Sequence, residues 1–391
     1  MMLSGTGSIM HSIDRRAILR SVGALGLPAA LARPSQAAAF AAPASVQTMR
    51  FTKYEVFPTH IPMAERVREA WIESYRLQGT FQTHYDPVFV RLHTDVGISG
   101  IGESLMSAAQ TEAALKRMVG RSPWEYLMDD SISGILMAVY DVLGKATGMP
   151  ACRLMASSPK PRVFHTYWTH CLPPKLMAQE AKLGASLGYR VHKVKARPWQ
   201  DPIEQAAAMC EVVPKEYRFW VDANYHWGSP SRALFFIQKL AQFHNYFAAE
   251  SPITGHDLAG YRQLKGKSPL KLADHPGPDI MPFVREELLQ AWVIGGPLGR
   301  SMAQKALTAE VTGIPLWVEY GTQSGIAQVF QAHQAAAYPG IEFTITVTHC
   351  LEDDIMVEPF TMESGYYRVP QKPGIGVTLD ENAMEKYRVK A

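Results

Sequence analysis

The 391-residue chain has little cysteine, little charge imbalance and no long apolar run, and each shortage removes a class of protein. Its 4 cysteines, Cys152, Cys171, Cys210 and Cys350, are widely spaced and form no CxxC pair. A chain this long buries enough core to stand without bridges, so free buried thiols are expected. The formal net charge is only +3 and no basic cluster stands out, which removes the electrostatic case for nucleic-acid binding. No nucleophile elbow or Ser-His-Asp pattern is present, which counts against a metal-independent hydrolase. With 47% hydrophobic and 19% charged residues, the composition is that of a globular chain larger than one average domain, suited to small-molecule chemistry.

Between residues 160 and 350 a single theme recurs: a short apolar run ends abruptly in polar residues. Tyr189–Lys195, Phe219–Asn224, Tyr246–Glu250 and Leu270–His275 follow one another at the interval of roughly 25 to 30 residues that a strand, a crossover helix and two loops require. Further runs fit at Arg162–Trp168, Ala291–Gly295, Pro315–Tyr320 and Ile341–His349, with alanine-rich helical patterns between them. Seven or eight parallel strands make a complete or slightly modified (β/α) barrel, although the same alternation also suits an open doubly wound sheet. In a barrel the polar residues that end each run converge on one face, so Lys193, Lys195, Asp222, Glu250 and Asp274 would surround one cavity.

The ends of the chain are of another kind. Residues 1–45 read as an export signal and linker: Arg15 and Arg16 precede a modest apolar stretch, Val22–Leu31, and then the small residues Ala37–Ala39. Paired arginines in this layout suggest the twin-arginine route and a periplasmic destination, and the apolar stretch is too short to span a bilayer. Residues 46–158 contain strand-like alternation at Met49–Phe57 and Asp86–Thr94, a turn at Asp95–Gly97 and two helical patterns, which together predict an α+β domain. The connection from Pro58 to Tyr85 is too long for a hairpin and is a candidate lid, carrying His60, Arg66, Arg68, Trp71, Tyr75 and Arg76. The barrel is assigned to residues 159–360, and residues 361–391 are expected to return to the first domain.

Taken in order, Phe89–Glu103, Ala138–Pro150, the Lys193-x-Lys195 pair, Val221–Asn224 and Val369–Val377 resemble the enolase superfamily, and within it the mandelate racemase and muconate lactonizing enzyme branch. The resemblance covers about residues 50 to 388. It implies a modified TIM (β/α) barrel under an N-terminal α+β capping domain, and a Mg²⁺ ion held by Asp222, Glu250 and Asp274. It implies Lys195 as the general base, with Lys193 beside it to offset substrate charge, and Asn224 and His275 to orient the ligands. Members of the branch are commonly homo-oligomers acting on small carboxylates. A carbon acid next to a carboxylate forms a doubly negative enediolate, which a metal and an ammonium stabilise as its charge develops.

The departures from that pattern narrow the chemistry. Glycine stands at the end of the sixth run (Gly295, Gly296), where relatives place a second base or an aspartate, and the seventh run ends in Glu319 and Tyr320 without the usual histidine. Racemisation by two bases is therefore disfavoured, and His349 is the expected far-side acid. Arg66, Tyr75, Glu319 and Tyr320 are the expected substrate contacts. The leading expectation is dehydration or one-base isomerisation of a hydroxy acid or related carboxylate. The alternatives are a racemase, epimerase or cycloisomerase, and an exported metal-binding solute-binding or sensory protein that has lost catalysis.

Overall fold

The computed structural model describes residues 44–75, 83–277, 279–296, 298–319, 323–345 and 347–389; Tyr320 and most of residues 1–45 lie outside these. Eight strands, Arg162–Thr169, Val191–Lys195, Arg218–Asp222, Tyr246–Glu250, Lys271–Asp274, Ala291–Gly295, Leu316–Glu319 and Ile341–Ile345, pair in sequence order as a parallel sheet. The eighth pairs with the first, Thr344 opposite His165 and Ile345 opposite Thr166, so the sheet is a closed barrel and the open alternative is removed. A helix follows each of the first seven strands, whereas a short 3₁₀ turn, Thr348–Cys350, follows the eighth. Strand burial explains why the runs were legible: all five residues of Val191–Lys195 are buried, as parallel strands covered on both faces must be.

The lower barrel is filled by aromatic rings. Trp220 and Trp317 stack at 4.4 Å, and Phe247 and Phe343 close around them. A hairpin, Met362–Glu363 with Tyr366–Arg368, adds antiparallel to the start of the first strand. The result is an aromatic floor beneath the polar strand ends.

The capping region is an antiparallel sheet of Phe51–Pro58, Val88–Thr94 and Ser99–Ser104 against the helix Ile135–Thr147. Gly100 and Gly102 let that helix approach: a Cβ at Gly100 would lie 2.3 Å from the Ala138 carbonyl oxygen. Buried Asp141 accepts from the amides of Ile101 and Ile375, both at 2.9 Å, and from Lys145, tying sheet, helix and C-terminal segment together. That segment reaches the cap again through the pairing of Thr59 with Arg388. Glu103, also buried, accepts from Tyr85, the Ser324 amide and hydroxyl, and the Ala327 amide. It thereby places a carboxylate of the cap at the N-terminus of the barrel helix Gly325–Ala337, where exposed amides favour negative charge.

The predicted lid has a helix, Glu65–Tyr75, and a two-stranded stem, Ile61–Pro62 with His84–Tyr85. Trp71 packs on Trp168 and His170 at the end of the first barrel strand. Among the described residues no helix is long and apolar enough to cross a membrane. The four cysteines are free thiols, three of them buried.

Candidate active site

Alternation along the second strand sends Lys193 and Lys195 to the same side, and register carries that side around the barrel: Lys195 pairs with Asp222, and Asp222 with Glu250. The Lys193 ammonium is fully buried, 2.7 Å from Glu250 Oε1 and 3.2 Å from Asp222 Oδ2, and it also bonds Glu319. Lys195 bonds Asp222 Oδ2. Burial alone would push the Lys193 ammonium toward neutrality, but Glu250, Glu319 and Asp222 hold its pKa well above the ordinary lysine value. Burial likewise opposes ionisation of Asp222, and Lys195 and Lys193 outweigh it, keeping this carboxyl below the usual carboxylate range.

The surrounding groups hold these in place. Asn224 donates to both Asp222 oxygens, at 2.8 and 2.9 Å, and accepts from Arg197 at 2.7 Å. Trp220 Nε1 donates to Glu250 Oε2 at 2.8 Å. The backbone bends sharply past these strand ends, with Asn224, Tyr225 and Ser251 at φ of +42°, +66° and +46°. Such clustered left-handed residues cost energy and mark a built site.

The fifth strand departs from expectation. Ala273 pairs with Glu250, so Asp274 faces the other way, with Trp292, and His275 turns into the mouth. The Asp274 carboxylate accepts from Ser251 Oγ at 2.8 Å, from the His275 amide at 2.7 Å and from Tyr261. Burial raises its pKa, against those hydrogen bonds. His275 Nε2 lies 3.0 Å from Glu319 Oε1 and 3.3 Å from Glu250 Oε1. Burial disfavours its charge, but these two carboxylates push its pKa up to about 10. One donor atom each from Glu250, His275 and Glu319 falls within 4.8 Å of the others.

Four carboxylates, Asp222, Glu250, Asp274 and Glu319, thus lie around two ammonium groups and the His275 imidazolium, which leaves one negative charge in excess. Buried carboxylate oxygens in that excess fit a hard divalent cation. Of the expected ligands, Asp222 and Glu250 face the mouth. Glu319 and His275 supply further donors, and Asp274 stands behind them on Ser251 and Tyr261.

Other expected residues lie elsewhere. His349 sits on the 3₁₀ turn, stacked on Tyr167 at 4.1 Å with Nε2 2.9 Å from the Trp168 carbonyl oxygen, apart from the lysines. Burial lowers its pKa to about 3. Arg66 is committed to Glu180 at 2.6 Å and to the His349 carbonyl oxygen at 2.7 Å. The Tyr75 side chain and Tyr320 lie outside the described residues. Above the sixth strand a Cβ on Gly295 would meet nothing within 4 Å, so space lies open there. Sequence reasoning missed Trp220, Ser251 and Arg197, whose only signal was proximity to the strand ends, and Tyr261, which reaches Asp274 from the helix Leu258–Leu264 and had no signal of that kind.

A family model described as enolase C-terminal domain-like matches residues 176–274 and 296–383. The chain is 26% identical over 358 residues to the arabinonate dehydratase of Saccharolobus solfataricus, covering 82% of this chain and 95% of that protein. It is 23% identical to the D-xylonate dehydratase of Haloferax volcanii, over 78% and 86% of the two chains. In fold it is similar to the crystal structure of N-succinyl Arg/Lys racemase from Bacillus cereus, with a TM-score of 0.71, 20% identity, and 87% and 98% of the chains covered.

Proposed function

Because the chain belongs to the enolase superfamily, in its mandelate racemase and muconate lactonizing enzyme branch, we propose that it abstracts the proton α to a carboxylate through Lys195 and completes a dehydration or a one-base isomerisation of a hydroxy acid. The observation that carries this reading is the buried Lys193 and Lys195 pair facing Asp222, Glu250 and Glu319 at the barrel mouth. The names of the two dehydratases support a sugar acid as the substrate class.

Magnesium, the cofactor typical of this superfamily, would be held by Asp222 and Glu250 with Glu319 as the third carboxylate facing the mouth, while Asp274, the third ligand that the motif predicts, backs them on Ser251 and Tyr261; bound there, it would supply positive charge against the developing enediolate. Lys195 is 9% exposed at its side chain and lies at the rim, where a substrate can reach it, whereas Lys193 is wholly enclosed. Lys195 therefore takes the proton, and Lys193 holds the carboxylates and offsets charge. His275, 29% exposed on the Glu319 side, is better placed than His349 to protonate a departing hydroxide. The open space over Gly295 takes the substrate's distal end, and the missing base there disfavours racemisation by two bases.

The test is turnover in deuterated water with Mg²⁺ and a panel of sugar and hydroxy acids, read by mass. Loss of water from one substrate, reduced about 10²- to 10⁴-fold in Lys195→Ala, is expected. Retained turnover in that variant would sink the assignment of the base. Export by the twin-arginine route belongs to the same proposal; Arg15→Lys with Arg16→Lys should hold the full chain in the cytoplasm, and unchanged export would refute it.

A further inference from the structure

The lid stem carries a second constellation, remote from the lysines. Backbone bonds zip its two ends together: the Thr59 amide donates to the Pro87 carbonyl oxygen at 3.0 Å, Ile61 pairs with Tyr85, Pro62 with His84, and the Met63 amide donates to Thr83 O at 2.9 Å. Alternation on this ladder is strict. Thr59, Ile61, Met63, Tyr85 and Pro87 are buried, while His60 and Asp86 are exposed and His84 half-buried. Cross-strand pairing and same-strand spacing therefore bring two imidazoles and one carboxylate onto one solvent-facing patch.

Their atoms converge. His60 Nδ1 lies 2.8 Å from Asp86 Oδ1, His84 Nε2 lies 3.0 Å from Asp86 Oδ2, and the two ring centroids lie 3.9 Å apart with the planes tilted by 33°. One donor atom from each falls within 4.8 Å of the other two. His84 Nδ1 is 3.0 Å from Thr83 Oγ1. Without a metal, Nε2–H donates to Asp86; when an ion takes the place of that proton, Nδ1–H can donate to the Thr83 hydroxyl, the supporting contact that metal-bound imidazoles use. Two nitrogens and a carboxylate select a borderline divalent transition ion over magnesium. Three protein donors on an exposed face also leave room for water to complete the shell.

We propose that His60, His84 and Asp86 form a site for a divalent transition-metal ion of the Zn²⁺ class, which bolts together the two ends of the lid. The site is independent of the barrel mouth and of the reaction assigned to it. A bound ion would cross-link the stem at the base of the helix that carries Trp71 onto the first barrel strand, and so restrain the lid without touching substrate.

The experiment uses the metal-stripped full chain in excess Mg²⁺, titrated with ZnCl₂ against a chromogenic chelator. Wild type should bind one Zn²⁺ more than His60→Ala or His84→Ala, and that ion should persist in Glu319→Gln, whose change lies in the barrel mouth. Thr83→Val, which removes only the support of His84, should weaken the extra ion about ten- to hundredfold. Zn²⁺ should raise the unfolding midpoint of wild type and not of His84→Ala, while Asp86→Asn, nearly isosteric, gives a second variant whose metal-free midpoint checks folding. Equal Zn²⁺ uptake by wild type and the histidine variants, or no uptake in excess Mg²⁺, would overturn the proposal.

Discussion

Lys193 concentrates the electrostatics of the barrel mouth in one atom. Its ammonium is enclosed among Asp222, Glu250 and Glu319, over a floor of tryptophan rings that supplies no hydration. Removing one partner from a buried ionic group leaves the others unpaired, which is far costlier than replacing the whole group. Lys193→Met should therefore lower stability by about 3 to 5 kcal/mol, measured by denaturant unfolding. Mg²⁺ should restore more of that loss in the variant than it adds to wild type, because the ion brings back the missing charge. A variant as stable as wild type without metal would show that the carboxylates need no cation. This much was legible in the sequence: Lys193, Lys195, Asp222 and Glu250 each end an apolar run, and a buried parallel strand exposes its polar residues only at its end. The placement of the His349 ring was not legible, because the turn after the eighth strand sets it against Tyr167, and no pattern in the chain announces that turn.

At the scale of the element, register decides which fifth-strand residue faces the mouth. Lys271–Asp274 is only four residues long, and its alternation cannot be anchored until Ala273 is seen opposite Glu250. A shift of one residue exchanges Asp274 with His275, and that decides which of the two presents its side chain to the mouth. The family motif points to Asp274, whereas the strand pairing presents His275 and brings Glu319 across from the seventh strand. With Asp274 anchored to Ser251 and Tyr261, Glu319→Gln is expected to weaken divalent-ion binding tenfold or more, on the order of the 1.4 kcal/mol that a factor of ten represents. Asp274→Asn is expected to do less, since it leaves the inward donors in place. Calorimetric titration of the two variants with Mg²⁺ checks this, and a larger loss for Asp274→Asn would mean that its carboxylate leaves Tyr261 for the ion.

Across the whole molecule, cap, barrel and C-terminal segment are sewn together by buried polar groups whose partners lie far apart in sequence. His333, inside the barrel helix Gly325–Ala337, accepts from the Cys152 amide at Nδ1 and approaches the Ile375 carbonyl oxygen at 2.8 Å through Nε2. The residue numbers of these partners differ from its own by 181 and 42, which is why nothing near His333 in the sequence betrays its role. Both contacts require the neutral ring: Nε2–H donates, and a proton on Nδ1 would abolish the bond from Cys152. Burial lowers the His333 pKa to about 4, and that of His165, enclosed beside Thr344 at 2.7 Å, to about 3. In the unfolded chain both would titrate near 6.5. Below that value the unfolded state binds protons that the folded state refuses, so the stability these rings contribute is fully present above about pH 6.5 and is lost as pH falls through the folded values. Each ring should contribute a slope of about 1.4 kcal/mol per pH unit between its two pKa values, read from denaturant midpoints at pH 7, 6, 5 and 4.5. His333→Gln cannot take up the proton and should flatten the slope by about that amount between pH 6 and 4.5; an unchanged slope would show that this seam is not where acid opens the molecule.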